Sequence, residues 1–231
     1  MTHSRVIYLP ELLNHILHFL AIDKSLYPTL FVCRLWYRCG VSVLWKRVEL
    51  KNSNIQKIFM KIICEKQKSL FGTKPFYYLN VTHLEIPRYW QLSDKKIKHI
   101  THLFPNIIHL NLNDSMGFSD KTLNRIAESY PNLKYLNLGF NYRRIDDTGL
   151  ITDKGLYAIA NSCYKLEYLD ISFRIEFSEE SICNIIHSCL KLQALHIHGC
   201  RITYKTIRET RLYLKLKYFG ITKGWDRSNY F

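Results

Sequence analysis

The sequence predicts an α/β solenoid of about six to seven strand–helix units, with a parallel sheet on the concave side, preceded by a small all-α helical module. Three observations carry this prediction. One phrase, L-x-x-L-x-L, recurs as "VTHLEI" (81–86), "IIHLNL" (107–112), "LKYLNL" (133–138), "LEYLDI" (166–171), "LQALHI" (192–197) and "LKYFGI" (216–221), with starts 26, 26, 33, 26 and 24 residues apart. A second phrase follows each of the first five: "LSDKKIKHI" (92–100), "FSDKTLNRI" (118–126), "ITDKGLYAI" (151–159), "FSEESICNI" (177–185) and "ITYKTIRET" (202–210). The first 44 residues obey neither phrase and are apolar at helical spacing instead.

At the N-terminus, "LPELLNHILHFL" (9–20) sets Leu12, Leu13, Ile16, Leu17, Phe19 and Leu20 on a helical period, with Pro10 in the first turn. A proline there loses no hydrogen bond, because first-turn N–H groups have no intrahelical acceptor. A second helix is expected from about Thr29 to Cys39, where only Arg34 and Arg38 interrupt an otherwise apolar surface. A helix apolar all round is expected to be buried. Residues 9–45 are too few to enclose everything they present, so surplus apolar surface predicts a partner that covers it.

Next, "LWKRVEL" places Trp45, Val48 and Leu50 in the alternation of the later strands, and Ile55, Ile58, Phe59, Ile62 and Ile63 follow at helical spacing. The expected organisation is a helical module over 1–44, an irregular capping repeat over 45–80 and regular repeats over 81–231. No Gly/Ser-rich linker separates them.

Within each repeat the two phrases differ physically. L-x-x-L-x-L ends in period-two alternation, the mark of a strand with one buried face. The second phrase places Ser, Thr or Asp ahead of apolar residues three and four apart, which is a capped amphipathic helix. One unit cannot bury its own apolar face, so neighbours must stack. The repeated Leu and Ile then point inward, and the residues between them point to the open, concave side. That side carries His109, Asn111, Tyr135, Asn137, Tyr168, Asp170, His196, His198 and Tyr218 as candidate target contacts, with His83, Glu85, Asn113 and Ser172 beside them. Three tyrosines and four histidines with few lysines is the composition of a contact surface. The 33-residue step inserts seven residues in "FNYRRIDDTGL" (140–150). Such a lengthened loop either reaches a partner or is a tolerated surface insertion.

Composition narrows the function. The net charge of +14 sits on the flanks: residues 81–200 hold 13 basic and 13 acidic side chains, whereas 1–50 hold 6 and 3, 51–80 hold 6 and 1, and 201–231 hold 8 and 2. A basic nucleic-acid groove through the main body is therefore not expected, although an acidic partner could still be steered. No apolar run reaches the ~18 residues of a membrane span. Pro10, Glu11, Asn14, His15 and His18 interrupt any signal-like core, so a cytoplasmic or nuclear protein is expected. The seven cysteines are odd in number and never spaced C-x-x-C, so neither a disulfide framework nor a zinc ribbon is expected. In "HIHGC" (196–200), His196 and His198 share a strand side, but Cys200 belongs to the interior by register, so no zinc site is expected. Cys33 and Cys39 lie near arginines but in an apolar helical pattern, which reads as packing. No phosphate-binding loop, dinucleotide turn, nucleophile elbow or paired-histidine helix is present, so neither catalysis nor a cofactor is expected.

Two resemblances sharpen the reading. The strand–helix phrases resemble leucine-rich repeats of the cysteine-containing subtype: Cys163, Cys189 and Cys200 match its cysteine places, while Ser115, Tyr130, Asn141 and Arg174 depart from them. "LPELLNHIL", "LFVCRLWYRC" and the closing "LW" resemble the F-box, with Pro28 interrupting its middle turn. That resemblance implies docking on the Skp adaptor, and through it a cullin, by a motif built from Leu9, Pro10, Leu12, Leu13, Ile16, Leu17, Leu30, Val32, Cys33 and Trp36. Together the two imply a non-catalytic substrate-recognition subunit of an SCF-type ubiquitin ligase, whose repeats hold an unidentified target protein. The alternatives are an interaction scaffold outside any ligase, or binding of RNA or an acidic partner through the basic C-terminal segment (201–227).

Overall fold

The computed structural model describes residues 10–23, 25–65, 76–140 and 150–221. Each L-x-x-L-x-L phrase yields a three-residue strand. The strands are β1 (Arg47–Glu49), β2 (His83–Glu85), β3 (His109–Asn111), β4 (Tyr135–Asn137), β5 (Tyr168–Asp170), β6 (Ala194–His196) and β7 (Tyr218–Gly220). They form one parallel sheet in chain order. Val48, Leu84, Leu110, Leu136, Leu169, Leu195 and Phe219 are cross-strand partners without a slip. This row is buried from Leu84 to Leu195, and Val81, Ile107, Leu133, Leu166 and Leu192 form a second buried row just before the strands. Burying each such side chain contributes about 1.5–3 kcal/mol.

The connecting helices are α4 (Ser53–Glu65), α5 (Asp94–Leu103), α6 (Asp120–Ser129), α7 (Asp153–Ser162), α8 (Glu179–Ser188) and α9 (Tyr204–Tyr213), each packed on the next. Ser119, Thr152, Ser178 and Thr203 cap α6 to α9 by accepting from backbone N–H groups of their first turns. The first helical residue reaches further, into the next unit. Asp94 accepts from the Ser119 N–H and hydroxyl and from the Thr122 hydroxyl. Asp120 accepts from the Thr152 N–H and hydroxyl, both at 2.7 Å, and Asp153 from the Ser178 N–H at 2.7 Å. Glu179 accepts from the N–H and hydroxyl of both Thr203 and Thr206. At α9, which opens with Tyr204, this relay has no acid to continue it.

A second relay accounts for Cys163, Cys189 and Cys200 and for two of the substitutes, Ser115 and Arg174. The Cys163 thiol donates to the Tyr130 carbonyl at 3.7 Å and the Cys189 thiol to the Cys163 carbonyl at 3.6 Å. At the other repeat place, Cys200 donates to the Ile171 carbonyl at 3.2 Å, Ser115 to the Ile86 carbonyl at 2.6 Å and the Arg174 Nε–H to the Leu138 carbonyl at 2.7 Å. Ser115 and Arg174 therefore keep the donor that the cysteine supplies elsewhere. Asn141 lies outside the described residues.

Three helices precede the sheet: α1 (Pro10–Ile22), α2 (Leu26–Thr29) and α3 (Arg34–Leu44). They close over Leu13, Leu17, Leu26 and Leu30. At buried Gly40 the helices approach so closely that a Cβ would collide with Leu30 Cδ2. The expected helix from Thr29 to Cys39 is corrected here. The chain leaves α2 through short-range bonds from the N–H groups of Leu30, Phe31 and Val32 to the carbonyls of Tyr27, Pro28 and Thr29, and α3 begins only at Arg34. Leu30 thus enters the core, while Phe31, Val32 and Cys33 are exposed rather than buried. The apolar stripe expected on α4 is corrected as well. Phe59, Met60 and Ile63 pack inward, but Ile55, Ile58 and Ile62 face out. The fourth inward position is Gln56, whose amide donates to the carbonyls of Leu50 and Pro87 and sets the helix rotation.

Candidate interaction surfaces

An in-register parallel sheet brings equivalent side chains to within about 4.8 Å of one another, close to ring-stacking distance. On the open face this spacing gathers the first residues of β2 to β5 into a stack. His83 and His109 lie 5.0 Å apart, His109 and Tyr135 3.8 Å, and Tyr135 and Tyr168 4.1 Å, the last two pairs within 11° of parallel. The row ends because the next partner is Ala194. Tyr168 then meets His196, from the neighbouring row, at 5.3 Å and tilted, and His196 meets His198 at 6.0 Å. Tyr218 stands exposed on β7. Since the ring faces are spent on each other, a partner meets their polar edges.

The second row on this face behaves differently. Oδ1 of Asn111, Asn137 and Asp170 accepts from the N–H two residues on, at Asn113, Gly139 and Ser172. These side chains close the strand ends, and Asn137 is itself buried. Asn111, Asn137 and Asp170, expected as target contacts, are thus in large part turn-forming residues. Gly139 matters here, because a Cβ would lie 2.9 Å from the Asp170 carboxylate.

The β1 end of this face is charged. Arg47 pairs with Glu49 and Glu85, and Lys51 pairs with Glu49 at 2.6 Å. Burial, followed by Arg47 and Lys46, holds the His83 pKa below its usual value. Burial, His83 and Arg47 lower that of His109 to about 4, with its Nε2 buried 3.6 Å from Glu85. Both rings are neutral at pH 7, so the stack carries no charge at that end. Burial, then Tyr135 and Asp170, raises the Tyr168 phenol.

On the N-terminal helices the candidate docking residues divide. Leu13, Leu17 and Leu30 are at most 4% exposed and Trp36 packs against them, so these four support the module instead of meeting a partner. Leu12, Ile16, Val32 and Cys33 are exposed. Leu9 lies outside the described residues, and Pro10 opens α1. Phe19, Tyr27, Phe31 and Tyr37 join the exposed set, Phe19 at 63% and Phe31 at 69%. Leu12, Ile16 and Phe19 follow the four-then-three spacing of one helix face, which was the available signal for Phe19. Cys39 is half-buried against this core.

Among the described residues no group of three or more His, Cys, Asp or Glu could hold a metal, and no helix is long and apolar enough to cross a membrane. Cys200, turned toward Ile171, does not join His196 and His198. No protein-family model matches the chain, and no curated protein matches it.

Proposed function

We propose that this chain is a non-catalytic substrate receptor of an SCF-type ubiquitin ligase in the cytoplasm or nucleus. Its N-terminal helices act as an F-box that docks on a Skp-type adaptor, and its leucine-rich-repeat solenoid holds the target protein on the ring-lined face. The observation that carries this reading is the division of the apolar residues on α1 to α3. Four leucines fill a closed core, while Leu12, Ile16, Phe19, Phe31 and Val32 remain uncovered. Apolar surface concentrated on so small a unit is the mark of an interaction site. The chemistry belongs to a separately bound enzyme, and the receptor contributes proximity by raising the effective concentration of target lysines.

Co-purification with the Skp adaptor tests this reading, with wild type compared against Ile16→Asp/Val32→Asp. Both positions are exposed, so the variant keeps its melting temperature and loses the adaptor. Wild type that fails to retain the adaptor overturns the proposal. Charge introduced at Tyr135, Tyr168 or His196 is expected to release the target while the adaptor stays bound.

A further inference from the structure

Where the N-terminal helices meet the sheet they leave a cleft of about 780 Å³, within the ~300–1,000 Å³ typical of ligand sites. Ile22, Leu26, Val43 and Leu44 give it apolar walls, and Lys46, Arg47, Glu49 and His83 stand on its polar side. The cations on that side are not equivalent. Arg47 is held by two glutamates, and Glu49 is also bonded by Lys51, but Lys46 has no ion-pair partner among the described residues. His83 belongs to the cleft and to the ring stack at once, since it lies against His109. The ring-lined face therefore runs into the cleft.

We infer that this cleft receives the carboxyl-terminal end of a peptide whose last residue is apolar. Its walls ask for an apolar body, and Lys46, unpaired among the described residues, asks for an anion beside that body. Among peptide positions, the last residue alone carries a carboxylate and an apolar side chain on the same Cα. An internal Asp or Glu would bring the anion without the body. A carboxylate on Lys46 leaves the apolar side chain free to enter between Ile22 and Leu44, and the preceding residues continue over His83 along the sheet. Capture of a terminal carboxylate is an established mode of peptide recognition, and a flexible ammonium serves it as a point charge. The inference stands on the cleft and does not require the adaptor.

The test uses the isolated full chain and fluorescence anisotropy. The probe is an N-terminally labelled hexapeptide pool, randomised at its first five positions and ending in leucine with a free carboxylate. The same pool is measured with a terminal amide, and decanoate is added as a competitor. The free-acid pool is expected to bind. The amide, and separately Lys46→Glu, should each weaken binding by about tenfold or more. Ile22→Ser should weaken it too, and decanoate should not displace the pool. Both substitutions are at exposed positions, and an unchanged melting temperature confirms that each variant is folded. The inference is overturned if the amide binds equally, if Lys46→Glu binds like wild type, or if the free-acid pool shows no binding at millimolar concentration. Displacement by decanoate also overturns it, because the cleft would then take any apolar acid.

Discussion

Among the described charged residues Arg174 has the least expected environment. It is 4% exposed, donates to the Leu138 carbonyl, and lies 5.2 Å from the Phe140 ring and 5.7 Å from that of Phe118. Its nearest counter-charge is Glu176 at 3.8 Å. Burial lowers its pKa, against the pull of Glu176 and Asp114. Removing one partner of a buried pair leaves an uncompensated charge, which costs about 3–5 kcal/mol. Arg174→Ala should lower unfolding stability by about 3 kcal/mol, because it also leaves the Leu138 carbonyl bare. Urea denaturation reads this directly, and a loss below about 0.5 kcal/mol would mean that Arg174 is no keystone. His109 gives a pH signature. Its folded pKa near 4 lies below the ordinary 6.5, so protonation is harder in the folded state. Stability is then full above pH ~6.5 and declines as pH falls toward 4. His109→Phe keeps a ring between His83 and Tyr135 and should flatten the urea midpoint across that window. A variant that declines as steeply as wild type would remove His109 as the cause.

Between elements, the acid-to-cap relay ties α5 to α9 in succession and fixes a different pH window. Burial pushes the Glu179 carboxyl up, but hydrogen bonds from the hydroxyl and N–H groups of Thr206 and Thr203 win and bring it down to about 2 from an ordinary 4.5. A depressed carboxylate contributes stability that is present above pH ~4.5 and lost as pH falls toward 2. Glu179→Gln should cost about 1 kcal/mol at neutral pH and flatten the acid limb below that of His109. An unchanged acid limb would contradict the relay. The L-x-x-L-x-L phrase marked all the later strands, and the Ser/Thr/Asp starts marked the helices, because both patterns answer to local burial and capping. Three features were not legible. α4 is rotated by Gln56, whose carbonyl partners come from Leu50 and from Pro87, far along the chain. α3 starts late because Pro28 and the turns after it end α2 early. Alternation separated the buried leucine row from the stacked rings, but the bonds that Asn111, Asn137 and Asp170 accept depended on backbone N–H groups that periodicity does not register.

At the scale of the whole chain, stability is distributed unevenly. Among the described residues one buried cluster spans Leu50 to Leu214, whereas α1 to α3 close over four buried leucines and leave large side chains uncovered. In a stacked array each unit contacts mainly its neighbours, so interior units are held from both sides and terminal ones from one. The N-terminal helices should therefore open locally at a lower free energy than the array. In hydrogen exchange, amides of α1 to α3 should exchange about 10²–10³-fold faster than those of α5 to α8, which is roughly 3–4 kcal/mol less opening free energy. A partner that binds only the closed helices should slow them in proportion to its excess over its dissociation constant. Leu17→Ala should sharpen the contrast, as it removes a buried side chain at a cost of about 2–5 kcal/mol without touching the sheet. Equal protection of α1–α3 and α5–α8 in the free chain would mean that the helices and the sheet unfold as one unit. The uncovered apolar face would then belong to a rigid platform, not to a module that its partner completes.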